Sequence, residues 1–101
     1  MAKAFKSYKE GLLKDLADPK EAAAYLSAAL EDGSRAGFLL ALRDVAEANG
    51  MARVARAAKL NRENLYRMFS ARGNPRLSSL RPCLDKMGLK LAVAVKKQVP
   101  A

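Results

Sequence analysis

β-Branched residues are nearly missing from this chain, and those present are gathered at one end. There is no Ile and no Thr, and three of the five Val fall at positions 93, 95 and 99, against 20 Ala and 15 Leu. Ala and Leu lose little on entering a helix, whereas branching at Cβ favours pleated backbone. The body of the chain therefore reads as helical and its end as strand-like. At 101 residues and 10.9 kDa there is room for one domain with at most a short appendage. A domain of this size buries roughly two-thirds of its unfolded surface, enough for a modest core without staples.

The same composition removes several chemistries. With no His, no Trp and a single Cys83, neither a His/Cys zinc site, nor a Ser-His-Asp or Cys-His catalytic set, nor an internal disulfide can be assembled. Carboxylates are present, but none lies in an apolar cluster beside a partner suited to acid–base work. One Cys and no secretory hydrophobic region point to the cytoplasm. Apolar runs such as Phe38–Leu42 fall far short of the ~20 residues of a membrane span. The expectation is a small, basic, cytoplasmic, non-enzymatic protein with no metal or cofactor, in which Cys83 packs in the core.

Charge is unevenly placed. The chain carries 19 basic and 10 acidic residues, a net +9. Residues 1–33 have a net −1, residues 34–60 a net +3, and residues 61–101 a net +7. Such segregation suits a molecule that meets a polyanion with one part and something else with another.

Along the chain, Phe5, Tyr8, Leu12 and Leu16 recur at roughly helical spacing with Lys3, Lys6, Lys9 and Lys14 between them, and Gly11 interrupts them. Residues 1–17 are set apart as an N-terminal arm. It reads as a frayed terminus, a membrane-surface helix or a segment ordered by a partner. Asp18-Pro19-Lys20-Glu21 is a helix start, with an acceptor at N-cap, Pro at N1 and Glu at N3 to close a capping box. Ala22, Tyr25, Leu26, Ala29 and Leu30 follow as one stripe, ended by Gly33. Ser34 caps a helix with Phe38, Leu42, Val45 and Asn49 on one face, widened by Leu39, Leu40, Ala41 and Ala46 and closed by Gly50; this is expected to be the most buried helix.

Two short helices are predicted at 51–58 and 62–70. Ser78 then caps a last helix that buries Leu80, Cys83, Leu84 and Met87, carries Pro82 in its first turn and stops at Gly88. Beyond it, Leu89, Leu91, Val93 and Val95 alternate with Lys90, Ala92, Ala94 and Lys96, the period of a half-buried strand. The strand is placed at 89–97, with 98–101 as a tail. A lone strand needs a partner edge, and pairing with a second copy through Leu89, Leu91, Val93 and Val95 is the expected solution.

Residues 51–70 read as a helix-turn-helix. Val54, Ala55 and Ala58 form the inner face of the first helix, Leu60 plugs the turn, and Asn61 caps the second, anchored by Leu65, Met68 and Phe69. Arg62, Glu63, Asn64, Tyr66, Arg67 and Ser70 are left on the outer arc, with Arg53, Arg56, Arg72 and Arg76 before and after it. Arg can donate twice to a guanine edge, Asn can bridge adenine, and Tyr can reach phosphate or a thymine methyl. The candidate DNA-binding set is Arg53, Asn61, Arg62, Glu63, Asn64, Tyr66, Arg67, Ser70 and Arg72. The plain alternative for the same arc is a polar surface kept for solubility. Such turns often carry Gly where Lys59 stands; left-handed geometry at a Lys costs roughly 1 kcal/mol.

The ordered set Asp18-Pro19-Lys20-Glu21 with Tyr25-Leu26, Phe38-Leu39-Leu40-Ala41-Leu42-Arg43-Asp44-Val45-Ala46, Asn61-Arg62-Glu63-Asn64-Leu65-Tyr66-Arg67 and Gly73-Asn74-Pro75 resembles the HigA-like addiction-module antidote proteins, within the Xre/Cro-type helix-turn-helix regulators. The resemblance covers about residues 15–95. It implies an all-α fold, a five-helix lambda-repressor-like helix-turn-helix domain over 18–88, here with the C-terminal β-strand. It also implies an antitoxin that binds and neutralises a small, basic RelE/ParE-like toxin and represses its own operon, as a homodimer on double-stranded operator DNA. The near-neutral N-terminal third is the candidate toxin surface. Two other readings stand beside it: a stand-alone phage-like repressor without a toxin, and an RNA-binding or architectural protein that uses charge alone. The second is weakened by the lack of aromatics on the predicted strand.

Overall fold

Six helices carry the chain in the computed structural model, which describes the backbone of residues 2–97 and the side chains of residues 8–97. They are α1 (Ala2–Leu16), α2 (Pro19–Glu31), α3 (Arg35–Asn49), α4 (Met51–Ala57), α5 (Arg62–Met68) and α6 (Leu77–Lys86). The side chain of Phe5 and the tail assigned to 98–101 lie outside the described residues.

The helix starts follow the capping chemistry, with two departures. Asp18 stands in extended backbone and accepts from the Lys20 N–H at 3.0 Å, with Pro19 at the first helical position. Its own N–H goes to the Asp15 carbonyl, closing α1. Asp18 thus caps through the second helical N–H and Glu21 has no N-cap donor left to reach, so the expected capping box is replaced by a simple N-cap. Ser34 Oγ accepts from the Gly37 N–H at 3.1 Å and Asn61 Oδ1 from the Asn64 N–H at 2.7 Å, as their positions predict. Ser78 does not cap α6. The helix begins at Leu77, with Arg76 as N-cap through its carbonyl alone, which accepts from Ser79 and Leu80 at 3.0 and 2.8 Å. This earlier start puts Pro82 inside the helix, where its missing N–H leaves the Ser78 carbonyl without its intrahelical donor.

Helices α4 and α6 end on left-handed residues. Gly88 (φ 77) closes α6: its N–H goes to the Asp85 carbonyl at 3.0 Å and that of Leu89 to the Leu84 carbonyl at 2.8 Å. This is a Schellman motif, whose apolar contact joins half-buried Leu89 to the core. The end of α4 is built in the same way, with Lys59 (φ 58) in the left-handed position. Its N–H reaches the Arg56 carbonyl at 3.0 Å, and the Leu60 N–H reaches the Ala55 carbonyl at 2.9 Å.

The core runs through all six helices, with Leu42, Val45, Val54, Leu65, Phe69 and Cys83 its largest fully enclosed side chains. Among the described residues, no polar or charged side chain is buried. Helix α3, with five buried residues, contributes more than any other helix. Gly11 does not break α1. It faces open space, and the rest of the helix packs on α2 and α3 through half-buried Leu12 and Leu13 and buried Leu16. Lys9 Nζ on α1 meets Glu47 Oε2 on α3 at 3.3 Å. Tyr25 on α2 donates its hydroxyl to Asp44 Oδ2 on α3 at 2.7 Å. Burial, that bond and the Asp44 charge push the Tyr25 phenol up to about 12. Burial alone pushes the Cys83 thiol up to about 11, as packing in the core requires.

Two apolar segments depart from what their spacing predicts. Leu30, read into the α2 stripe, is 58% exposed, whereas Ala22 and Leu26 are buried. It sits in the last turn of α2. The C-terminal β-strand is absent: residues 89–97 form no strand, and there is none elsewhere among the described residues. The described residues form six helices, not five helices and a strand. Only Leu89 packs against the core, while Leu91, Val93 and Val95 are 49%, 102% and 92% exposed. Alternation in sequence makes a strand only where a neighbouring edge completes the ladder, and the described residues offer none.

Lys59→Gly is expected to stabilise the fold by about 0.5–1 kcal/mol, because glycine takes the left-handed cap without a Cβ penalty while adding some unfolded-state entropy. Urea denaturation with an unchanged m-value and a raised midpoint is the readout; a lowered midpoint contradicts the assigned turn geometry.

Candidate nucleic-acid interface

Helix α5 is held from behind. Leu65 and Phe69, one turn apart, are both fully buried and fix which side of α5 faces the core. The chain then doubles back beneath the helix end. A Cβ at Gly73 would stand 1.9 Å from the Met68 carbonyl oxygen and 3.1 Å from that of Arg67, so only glycine fits. The Gly73 N–H bonds the Ser70 carbonyl at 2.9 Å, and the Gly73 carbonyl accepts from the Arg35 guanidinium in the first turn of α3. Arg35 thus ties α3 to the loop that seats α5.

With that side fixed, Arg62, Glu63, Asn64 and Arg67 face solvent, and Tyr66 is half-buried. The guanidinium of Arg62 lies over the Tyr66 ring, 5.7 Å from its centroid, a stack that orients a long cation at modest cost. Two open clefts flank α5. One, of about 490 Å³, brings together Arg53, Arg56, Arg62 and Tyr66 with Leu13 of α1 and Glu47 of α3. The other, of about 390 Å³, gathers Asn64, Arg67, Ser70, Arg72 and Asn74. The ion pairs among the described residues involve Lys9, Arg43 and Glu47, and none lies on α4 or α5.

All nine sequence-predicted residues fall on or beside this helix pair, but they are not equivalent. Asn61 spends its carbonyl oxygen on the α5 cap, and Ser70 Oγ donates to the Arg67 carbonyl at 2.7 Å, so both serve the local backbone. Arg56, outside the nine, shares a cleft with Arg53 and Arg62; its place one turn after Arg53 on the first helix was the available signal. Asn74 lines the second cleft and carried no such signal. Among the described residues, no group of three or more His, Cys, Asp or Glu side chains is placed to hold a metal, and no helix is long and apolar enough to cross a membrane.

These features define a small helical protein that presents an exposed, mainly basic helix pair. The chain belongs to the family of probable addiction module antidote proteins, whose family model matches residues 9–95. An uncharacterized protein of Haemophilus influenzae is 32% identical over 78 residues, covering 77% of this chain and 80% of the relative. No solved structure matches the chain significantly.

Gly73→Ala should cost about 2–3 kcal/mol, since the new methyl meets main chain rather than a movable side chain. Arg35→Ala should cost about 1 kcal/mol for its lost bond to a carbonyl. Thermal melts of both variants test the seat of α5, and a Gly73→Ala protein as stable as the parent contradicts it.

Proposed function

We propose that this chain is the antitoxin of a type II toxin–antitoxin module, of the HigA-like, Xre-type class, acting in the cytoplasm. It neutralises a small, basic RelE/ParE-like toxin by direct contact, and it represses its own operon by binding operator DNA through α4 and α5 as a helix-turn-helix. The observation that carries the DNA reading is the solvent-facing set Arg62, Asn64 and Arg67 on a helix whose opposite side is anchored by Leu65 and Phe69. An α-helix with its side chains is about 10–12 Å across, the width a major groove of about 12 Å admits. Arg67 and Asn64 are the base readers, Arg62 is held on Tyr66, and Arg53, Arg56 and Arg72 meet phosphates from the two clefts. Glu63 and Tyr66 complete the outward face.

Two copies on a palindromic operator place their α5 helices about 34 Å apart. With the strand gone, the homodimer rests on the exposed apolar side chains Leu91, Val93 and Val95. Half-buried Leu89 is engaged with its own core. The toxin is assigned to the N-terminal third, whose net −1 contrasts with the strongly basic remainder and complements a basic partner. Exposed Tyr8 and Leu30 lie in this region. Point changes there are cleaner probes than removal of residues 1–17, which deletes buried Leu16 and the Lys9–Glu47 pair.

Arg67→Ala and Asn64→Ala should each weaken binding to the protein's own promoter by about 1–3 kcal/mol, roughly 5- to 150-fold, with melting temperatures unchanged. Unchanged affinity in both sinks the assigned face. Co-expression with the neighbouring small reading frame tests the antitoxin half: a stoichiometric complex that relieves growth arrest supports it, and promoter binding without any complex leaves a stand-alone repressor.

A further inference from the structure

The segment after α6 has been given roles only for its apolar side chains, Leu89 in the core and Leu91, Val93 and Val95 in the proposed dimer, while its charge is one-sided and unassigned. From Arg72 to Lys97 there are seven basic residues and a single acid, Asp85. All seven are exposed, and among the described residues none of them forms an ion pair. The Gly88 turn sends the chain alongside α6 instead of along its axis. Leu89, Lys90 and Leu91 form one wall of a groove of about 710 Å³ whose other wall is Ser78, Arg81, Pro82 and Asp85. Those four residues share one face of α6 from its first turn to its last. Past Leu91 the chain lies on nothing, with Val93 and Val95 almost fully exposed.

The reach is decisive. Ten residues make α6 about 15 Å long, while the six residue steps from Leu91 to Lys97 extend up to about 20 Å. Lys96 and Lys97 can therefore pass beyond the α6 N-terminus, where the loop carrying Arg72 and Arg76 adjoins α5. A run of exposed cations with no ion pair among the described residues suits an evenly charged phosphate chain, whose counterions it displaces on contact.

We infer that residues 89–97 form a sequence-independent clamp on the nucleic-acid backbone, with Lys90, Lys96 and Lys97 meeting phosphates outside the site read by α5. This rests on the DNA reading above and adds a second surface to it. The clamp contributes affinity and salt dependence while leaving sequence discrimination to α5.

The test compares the full chain with Lys96→Ala/Lys97→Ala, and with Lys14→Ala/Lys20→Ala as a control of equal charge change. Fluorescence anisotropy on promoter and scrambled duplexes is followed across a salt series. Two lost phosphate contacts should lower the slope of log K against log salt by about 1–2 in the tail variant. The promoter-to-scrambled ratio and the melting temperature should hold, and the control should keep the parent slope. A slope equal to the parent's overturns the clamp, as does an equal loss in the control. Loss of self-association in the tail variant, measured by sedimentation without DNA, also overturns it by placing the lysines at a protein interface. If the unaltered protein binds neither duplex, the DNA reading itself fails, a result distinct from the other outcomes.

Discussion

The fit of backbone against backbone at Gly73 is the constraint on which the outward face of this protein depends. The chain must pass so near the Met68 carbonyl that no Cβ can be accommodated, and Arg35 fixes the passing strand of loop from α3. Leu65 and Phe69 can then both be enclosed, and the rotation of α5 about its axis follows from them. Every outward residue on that helix inherits its direction from this arrangement. A short helix contributes little intrinsic stability, so seven residues hold their pose only because the packing beneath them does.

Much of this architecture was legible in the sequence because it is local. Ser34 and Asn61 cap their helices as their spacing requires, and the turn at Lys59 adopts the left-handed geometry its position called for. The α3 face could be read from periodicity alone, since a helix at the centre must be apolar over a wide arc. What misled were features whose outcome depends on distant partners. The alternation of Leu89 to Lys96 has the period of a strand, but the period says nothing about whether an edge exists to receive it. Leu30 continued an apolar stripe into a turn that no neighbour covers. Asp18 gave its N–H to the preceding helix, so the capping box never had its second donor.

The candidate site was legible by residue type and less so by role. Sequence spacing gathers the polar residues onto one helix pair, but it cannot tell Asn64, whose side chain is free, from Asn61, whose oxygen is consumed at the cap. Nor does it show that α1, α3 and α4 share one cleft with Arg62. Glu47 stands in that cleft while pairing with Lys9 of α1. The N-terminal helix is thus a structural neighbour of the basic surface, although it lies in the near-neutral third of the sequence.

The bond between Tyr25 and Asp44 has a consequence of its own. A phenol whose proton is held up to about 12 in the folded chain but near 10 in an unfolded one favours the folded state at any pH below about 10. That advantage is lost as the pH climbs from there to about 12. Asp44 is already a carboxylate throughout that range, so tyrosinate formation sets two anions face to face across the seam between α2 and α3. Strong alkali therefore loosens the joint between the near-neutral N-terminal third and the basic remainder, beyond the pH at which the Cys83 thiol, held up to about 11, has begun to ionise.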